Sequence, residues 1–463
     1  MLFHTQIFLL IFLPLVLAGY YLCSSSPIQR TWLLVAASIF FYGYWDFRLL
    51  PLLIISVLAN WSLAFVFVRT SKSWLIPSGV ALNLFILGIF KYADFFTGTL
   101  TSLGLIQEID SFGIILPLGI SFFTFHQISY LCDLRRGSAP LYSLREYALF
   151  VTFFPQLISG PIIRHNEIIY QYSLNPMRDG LYERLSQGLS LMLIGLAKKV
   201  LVADGLVRLA DPVFSLAASG KSPGLIDSWI GTLAFGMQIY FDFSGYSDMA
   251  LGLGLMFGLT LPLNFNAPYR ACSLQEFWHR WHMSLSRFMR DYLYIPLGGN
   301  RHGPLRQACA LMTTMLLGGL WHGASWTFVV WGGVHGLGLL LNHMWRRSGI
   351  LLPSSFSWSL TFGFVMITWV LFRSSDFPAA INQISSMFIP GKISTTSTVI
   401  DFDKIWILCV AVFTALVGPV SQDFIHNNLK PIKTHAFATA LALTFLIIYV
   451  GGWKTEEFIY FQF

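Results

Sequence analysis

Charge is scarce in this chain. Asp, Glu, Lys and Arg make up only 11% of its 463 residues, against about 25% in a typical soluble domain. With 55% of the residues hydrophobic and 16% aromatic, led by 42 Phe, there is more apolar surface than a soluble core can bury. Disorder is excluded as well, because it needs low hydrophobicity and high charge. Cysteine is sparse: Cys23, Cys132, Cys272, Cys309 and Cys409 are scattered, with no C-x-x-C pair. That spacing argues against a disulfide framework or a zinc site, and no metal is expected. Long Lys/Arg runs are lacking, so the net charge of +7 reads as the positive-inside signature of a membrane protein. No nucleic-acid partner is expected.

Other absences narrow the chemistry. Residues 1–29 hold no Asp, Glu, Lys or Arg. A basic n-region and a small-residue cleavage site are both missing there, so the run reads as an uncleaved first span. The sequence has no H-E-x-x-H zinc pattern, no G-x-S-x-G elbow and no P-loop. No histidine is followed five positions later by an aspartate. An enzyme built from this chain would use histidine without a metal and without its own serine triad.

What is present is a series of long uncharged runs: 1–29, 49–68, 73–90, 112–132, 147–163, 249–269, 307–345, 348–372, 405–422 and 434–453. A spanning helix needs about 20 apolar residues. The stretches 185–209 and 225–248 are also apolar, but carry Lys198, Lys199, Asp204, Asp227, Asp242 and Asp248. The expected fold is an all-α polytopic membrane protein of about 10 to 12 crossings, one integral-membrane domain over 1–463 surrounded by lipid. No internal repeat is apparent.

One loop is both long and basic. From Arg270 to Arg306 it carries Arg270, Arg280, Arg287, Arg290, Arg301 and Arg306 against Glu276 and Asp291. Positive-inside bias places 270–306 at the cytoplasmic face. Arg135–Arg136 and Arg346–Arg347 either lie there too or act only as topology signals. Ser273 and Glu276 form a capping-box pattern that starts a helix. Phe277, Trp281, Leu285, Phe288 and Tyr292 then follow helical spacing on one face, and Arg280 and Arg287 share another. This predicts a basic amphipathic helix at the interface. Its role is either surface anchoring or reception of an anionic donor's phosphates by the arginines, with His282 pointing inward.

The run 307–345 is too long for one span. As a single helix its 39 residues would reach about 58 Å, roughly twice the apolar core. Basic residues at both ends suggest a hairpin, with a first arm over 307–320 and a bend at Gly318, Gly319 and Gly323. The turn would place His322 at depth, at the bottom of a cavity open to the cytoplasm. Of eleven histidines (4, 126, 165, 279, 282, 302, 322, 335, 343, 426 and 435), His322 is the sharpest candidate. It sits in Gly319-Leu320-Trp321-His322-Gly323-Ala324-Ser325-Trp326. Ionisable groups at membrane depth are costly and often functional. It is either a general base or a core histidine bonded to a carbonyl. Asp242 and Asp248 lie six apart in an apolar setting. Buried carboxylates need partners, so they orient a histidine, hold a broken helix or pair with an arginine.

These segments together resemble a family. Gly319-Leu320-Trp321-His322-Gly323, the run Phe277-Trp278-His279-Arg280-Trp281-His282-Met283-Ser284-Leu285-Ser286 and the stretch Tyr240 to Asp248 look like the membrane-bound O-acyltransferases (MBOAT). The closest likeness is to their bacterial alginate O-acetyltransferase branch. Pro117 to Phe122, Phe153 to Pro161 and Phe458 to Phe463 also match. The resemblance implies a helical core with re-entrant and interfacial helices around a central cavity, and acyl transfer from a cytoplasmic thioester donor. It makes His322 the catalytic residue and His282 the second position of the site. It further implies passage of acetyl across the bacterial inner membrane to an exopolysaccharide such as alginate. Periplasmic serine-hydrolase-like (SGNH) acetyltransferase partners complete the transfer in that branch. Peptidoglycan, cellulose and teichoic acid are alternative acceptors.

The chemistry suits these residues. A base must take the hydroxyl proton, and the oxyanion needs donors, for which Trp321, Trp326 and backbone N–H groups are candidates. Arg280, Arg287 and Arg290 can receive the phosphates of acetyl-CoA, the expected acyl donor; no permanently bound cofactor is expected. Asp242 and Ser325 complete the candidate substrate-binding set. Two rivals are a polysaccharide or lipid-precursor transporter, with the buried acids and histidines as a proton path, and a scaffold that only docks periplasmic enzymes.

Overall fold

A computed structural model describes residues 1–107, 110–389, 400, 402–429, 432–452 and 456–459. Tyr460 to Phe463, the end of the last matching segment, lie outside the described residues. Helices account for all the regular structure among the described residues. In chain order they are α1 (Leu13–Leu22), α2 (Pro27–Gly43), α3 (Leu50–Thr70), α4 (Leu75–Ser102), α5 (Ile120–Arg135), α6 (Leu144–Thr152), α7 (Phe154–Leu157), α8 (His165–Ile168), α9 (Leu181–Ala197) and α10 (Asp204–Ala218). They continue with α11 (Leu225–Met256), α12 (Leu274–Arg280), α13 (Met283–Met289), α14 (Pro304–His322), α15 (Trp326–Ser348), α16 (Ser354–Arg373), α17 (Phe377–Phe388), α18 (Ile405–Leu416), α19 (Ser421–Asn428) and α20 (Lys433–Gly452). The chain is an all-α, multi-pass membrane protein.

Among the described residues, four helical stretches are long and apolar enough to cross a bilayer: Phe47–Thr70, Leu75–Ser102, Ser354–Arg373 and Lys433–Gly452. The pair Ile405–Leu416 and Ser421–Asn427, bent by 65°, makes a fifth if it is one broken span. Several other apolar runs are subdivided. The run 1–29 contains a π-helical turn, Phe8–Phe12, ahead of α1, and Pro27 opens α2. The run 147–163 breaks at Phe153, which bonds back to Leu149 O and starts a new turn before Pro155. The short helices α6 and α7 are largely buried within the protein, where backbone polar groups must still be paired.

The chain forms two compact units. The first comprises residues 1–194, 246–263 and 425–454. Its helix starts follow local chemistry: Ser26 caps α2 through Gln29 N, and Ser143 and Glu146 close a reciprocal capping box on α6. Phe3, Phe8, Phe12, Phe41 and Phe154 form one aromatic cluster, with centroids 5.1–6.2 Å apart. Asn60 and Asn83 exchange amide hydrogen bonds at 2.6 and 3.2 Å between α3 and α4, which satisfies two buried side chains at once.

The second unit comprises residues 195–245, 264–424 and 455–463. Its centre is the α14–α15 hairpin. The expected hairpin exists, but its bend is not at Gly318 and Gly319. Both glycines lie within α14, whose 19 residues span about 28 Å, longer than the expected arm. The turn is Gly323 to Ser325, with Ser325 capping α15 through Thr327 N at 3.3 Å. Gly319 instead serves packing. A Cβ there would lie 2.3 Å from Phe328 O, and one on Gly332 would lie 2.2 Å from Met315 O. Two glycines facing each other bring the helix backbones into contact, the small-residue packing that membrane helices favour.

Candidate active site

The site residues described here all belong to the second unit. Sequence spacing predicted one unbroken amphipathic helix, started by the Ser273 cap and ended at Pro296. The structure corrects this: α12 stops at Arg280 and α13 starts at Met283. Between them His282 takes a left-handed conformation, φ 42°, ψ 54°. For a bulky non-glycine residue this is a strained backbone, which persists only where its surroundings enforce it. Ser273 caps α12 as expected, accepting from Glu276 N at 3.1 Å. The Glu276 carboxylate, however, receives Cys272 N–H rather than that of Ser273. The break also separates Arg280 from Arg287, so they do not share one helical face.

The stretch 264–266 compensates for the break. Asn266 N donates to Arg280 O at 3.0 Å, and Met283 N donates to Asn264 O at 2.9 Å. These are the backbone groups that an interrupted helix leaves without intrahelical partners. The Asn264 side chain then sets the histidine. Its Oδ1 lies 2.9 Å from Ser284 Oγ, 3.3 Å from Ser284 N and 3.1 Å from Nδ1 of His282. A backbone N–H can only donate, so the atom facing it is the amide oxygen. That oxygen can only accept, so His282 Nδ1 carries a proton. In the neutral ring, Nε2 therefore presents its lone pair. His282 is fully buried, and its Nε2 has no hydrogen-bond partner among the described residues. The residue lies outside every helix long enough to span, and burial pushes its pKa down to about 3.

Aromatic rings connect His282 to His322. Phe243, from α11, meets the His282 ring edge-on at 4.7 Å and 88°. Trp321 lies 6.1 Å from His282 and 4.9 Å from His322, ring to ring. His322, the last residue of α14, is 4% exposed. Trp331 of α15 and Phe372 of α16 approach it at 5.2 Å each, the tryptophan at 90°. Beyond Trp331, His335 donates from Nε2 to Thr368 Oγ1 at 3.0 Å, because the single Thr368 hydroxyl proton goes to Val365 O.

The structure thus brings His282, Trp321 and His322 together, while the other candidates make contacts of their own. Trp326 is 49% exposed. Ser325 spends its hydroxyl on capping α15. Arg280 pairs with Glu276 at 2.8 Å, and Arg290 with Asp291 at 2.7 Å. Arg287 is half-buried on α13. Asp242 is buried on α11 and pairs at 2.9 Å with Lys199, rather than with an arginine or a histidine. Sequence reasoning missed Asn264, Phe243, Trp331 and Phe372. Nothing local marks Asn264, which lies 18 positions before the ring it holds. Among the described residues no group of His, Cys, Asp and Glu has the arrangement of a metal site.

Residues 39–372 match the family model described as MBOAT, membrane-bound O-acyltransferase family. The peptidoglycan O-acetyltransferase of Helicobacter pylori is 36% identical over all of this chain and 98% of its own length. The probable alginate O-acetylase AlgI of Pseudomonas aeruginosa is 42% identical over 84% of this chain and 75% of its own. A teichoic acid D-alanyltransferase of Streptococcus thermophilus is 33% identical over half of this chain.

Proposed function

The chain belongs to the membrane-bound O-acyltransferase family, and from that premise we propose that it moves acetyl from a cytoplasmic thioester, acetyl-CoA, across the bacterial inner membrane to an extracytoplasmic glycan. As an O-acyltransferase it must bring a thioester carbonyl to a hydroxyl. The hydroxyl oxygen attacks the carbonyl carbon and its proton passes to a histidine nitrogen. The C–S bond then breaks and the thiolate leaves, taking up a proton. His322 is the base of this scheme, and general-base help is typically worth about 10²–10⁴-fold. His282 orients the hydroxyl through Nε2. The observation that carries this reading is the convergence of the two buried imidazoles on Trp321, one with its lone pair presented by Asn264. Arg280, Arg287 and Arg290 receive the donor's phosphates from the cytoplasm, and a periplasmic SGNH-type partner completes delivery.

Two acceptors are supported by different observations. The identity to the alginate O-acetylases favours an alginate-like exopolysaccharide. The end-to-end match to a peptidoglycan O-acetyltransferase favours peptidoglycan. Deleting the gene and measuring O-acetyl content of both polymers separates them, because only the true acceptor loses acetyl. The catalytic reading is tested with His322→Ala at matched protein levels. Acetyl transfer should fall by about 10²-fold or more; wild-type transfer in that variant would refute it.

A further inference from the structure

Behind Phe243 lies an ion triad, with Lys199 and Asp242 buried and Asp204 partly so, that the chemistry above does not use. We infer that Lys199, Asp204 and Asp242 are positioning residues for His282, and that they act by seating chain segment 456–459 against Phe243. The inference rests on His282 being part of the active site.

The triad begins with a widened helical turn. Lys198–Ala203 is π-helical, and the Asp204 N–H closes onto Lys199 O. In such a turn residues five apart lie on one face, and such turns recur at functional sites. Lys199 Nζ is 2.7 Å from Asp204 Oδ1 and 2.9 Å from Asp242 Oδ1. Each carboxylate uses its other oxygen on the distant segment. Asp242 Oδ2 accepts from Ile459 N at 2.7 Å, and Asp204 Oδ2 accepts from Glu456 N at 3.3 Å. Lys199 also donates to Glu457 O at 3.3 Å. Three side chains therefore hold three backbone groups of a four-residue stretch.

Phe458 lies within that stretch. It is buried, and its ring packs 5.7 Å from Phe243 at 67°. Phe243 directly follows Asp242 on α11 and meets the His282 ring edge-on. The seated segment thus backs the aromatic wall against which the strained histidine rests. Stability alone is a weak reason for this arrangement. A buried ion cluster carries a large desolvation cost, and apolar residues of equal volume often stabilise as well or better. What charged hydrogen bonds supply is one defined geometry. That is what a reacting group needs, since a displacement of about 1 Å can cost about 10²-fold in rate.

The test uses the purified full chain in detergent, with acetyl-CoA as donor and hydrogen exchange as a second readout. Asp242→Asn keeps the shape and removes the charge. Its kcat should fall about 10- to 100-fold while KM for acetyl-CoA stays within about 2-fold. Amide exchange should accelerate at 456–459 and at 281–284. Phe458→Ala leaves the triad intact and should lower kcat in the same direction, whereas Phe458→Leu, which keeps most of the bulk, should recover most of it. This variant decides the matter if Asp242→Asn does not fold. Wild-type kcat in folded Asp242→Asn or Phe458→Ala would overturn the inference, as would unchanged exchange at 281–284. If His322→Ala is inactive while Asp242→Asn is fully active, only the inference fails. Full activity of His322→Ala sinks the assignment of His322 as the base, whatever the outcome for Asp242→Asn.

Discussion

The amide oxygen of Asn264 accepts from Nδ1 of His282 at 3.1 Å while also accepting from Ser284 N at 3.3 Å. One residue thus selects the tautomer of a buried imidazole and anchors the first turn of α13. The logic is that of any oriented histidine: the partner of one ring nitrogen decides what the other can do.

Removing that acceptor should therefore affect rate more than binding. Asn264→Leu is expected to lower kcat for acetyl transfer by about 10²-fold, with little change in KM for acetyl-CoA. Asn264→Asp keeps an acceptor oxygen and should retain more activity. Steady-state kinetics of the two variants checks this, and equal loss in both would contradict the tautomer argument.

The glycines of the hairpin should differ sharply. Gly332→Ala places a Cβ 2.2 Å from Met315 O and must push the helices apart. We expect about 1–3 kcal/mol of destabilisation, read as a lower unfolding temperature in detergent. Gly318→Ala meets nothing within 4 Å and should be neutral or stabilising by up to about 1 kcal/mol. A bend at Gly318 would predict the reverse.

Acid should destabilise the fold through His282. Its folded pKa is depressed to about 3 from an unfolded value of about 6.5. Its contribution is thus fully present above about pH 6.5 and is lost as pH falls toward 3, at up to about 1.4 kcal/mol per pH unit. Unfolding temperature measured from pH 7 to pH 4 should drop more steeply for the wild type than for His282→Gln. Parallel curves would show that this ring does not resist protonation.

The arginines should act on donor binding. Arg280→Ala, Arg287→Ala and Arg290→Ala are each expected to raise KM for acetyl-CoA several-fold with kcat nearly unchanged. Added salt should raise the wild-type KM as it screens the same contacts. Loss of the Arg280–Glu276 and Arg290–Asp291 pairs should cost at most about 1 kcal/mol of stability, since exposed pairs contribute little. Unaltered KM in all three variants would remove them from the donor site.

Composition determined that this chain lives in a bilayer, and its long uncharged runs determined that it does so as helices, because barrel strands are short and alternate apolar with polar residues. Local signals reached further: Ser273 marked the start of α12, and the uncharged run around His322 marked a hairpin. Only the tertiary structure decided where these elements break and meet. The interruption at His282 is enforced by Asn264 and Asn266 from an earlier stretch of chain, and hydrogen bonds between distant residues leave no periodicity to read. Gly318 and Gly319 looked alike as bending points, yet one faces open space and the other a neighbouring backbone. Asp242 found its lysine across 43 positions and its backbone donor across 217. Burial and partnership of this kind are properties of the packed chain, because they depend on which surfaces arrive beside one another after the helices have formed.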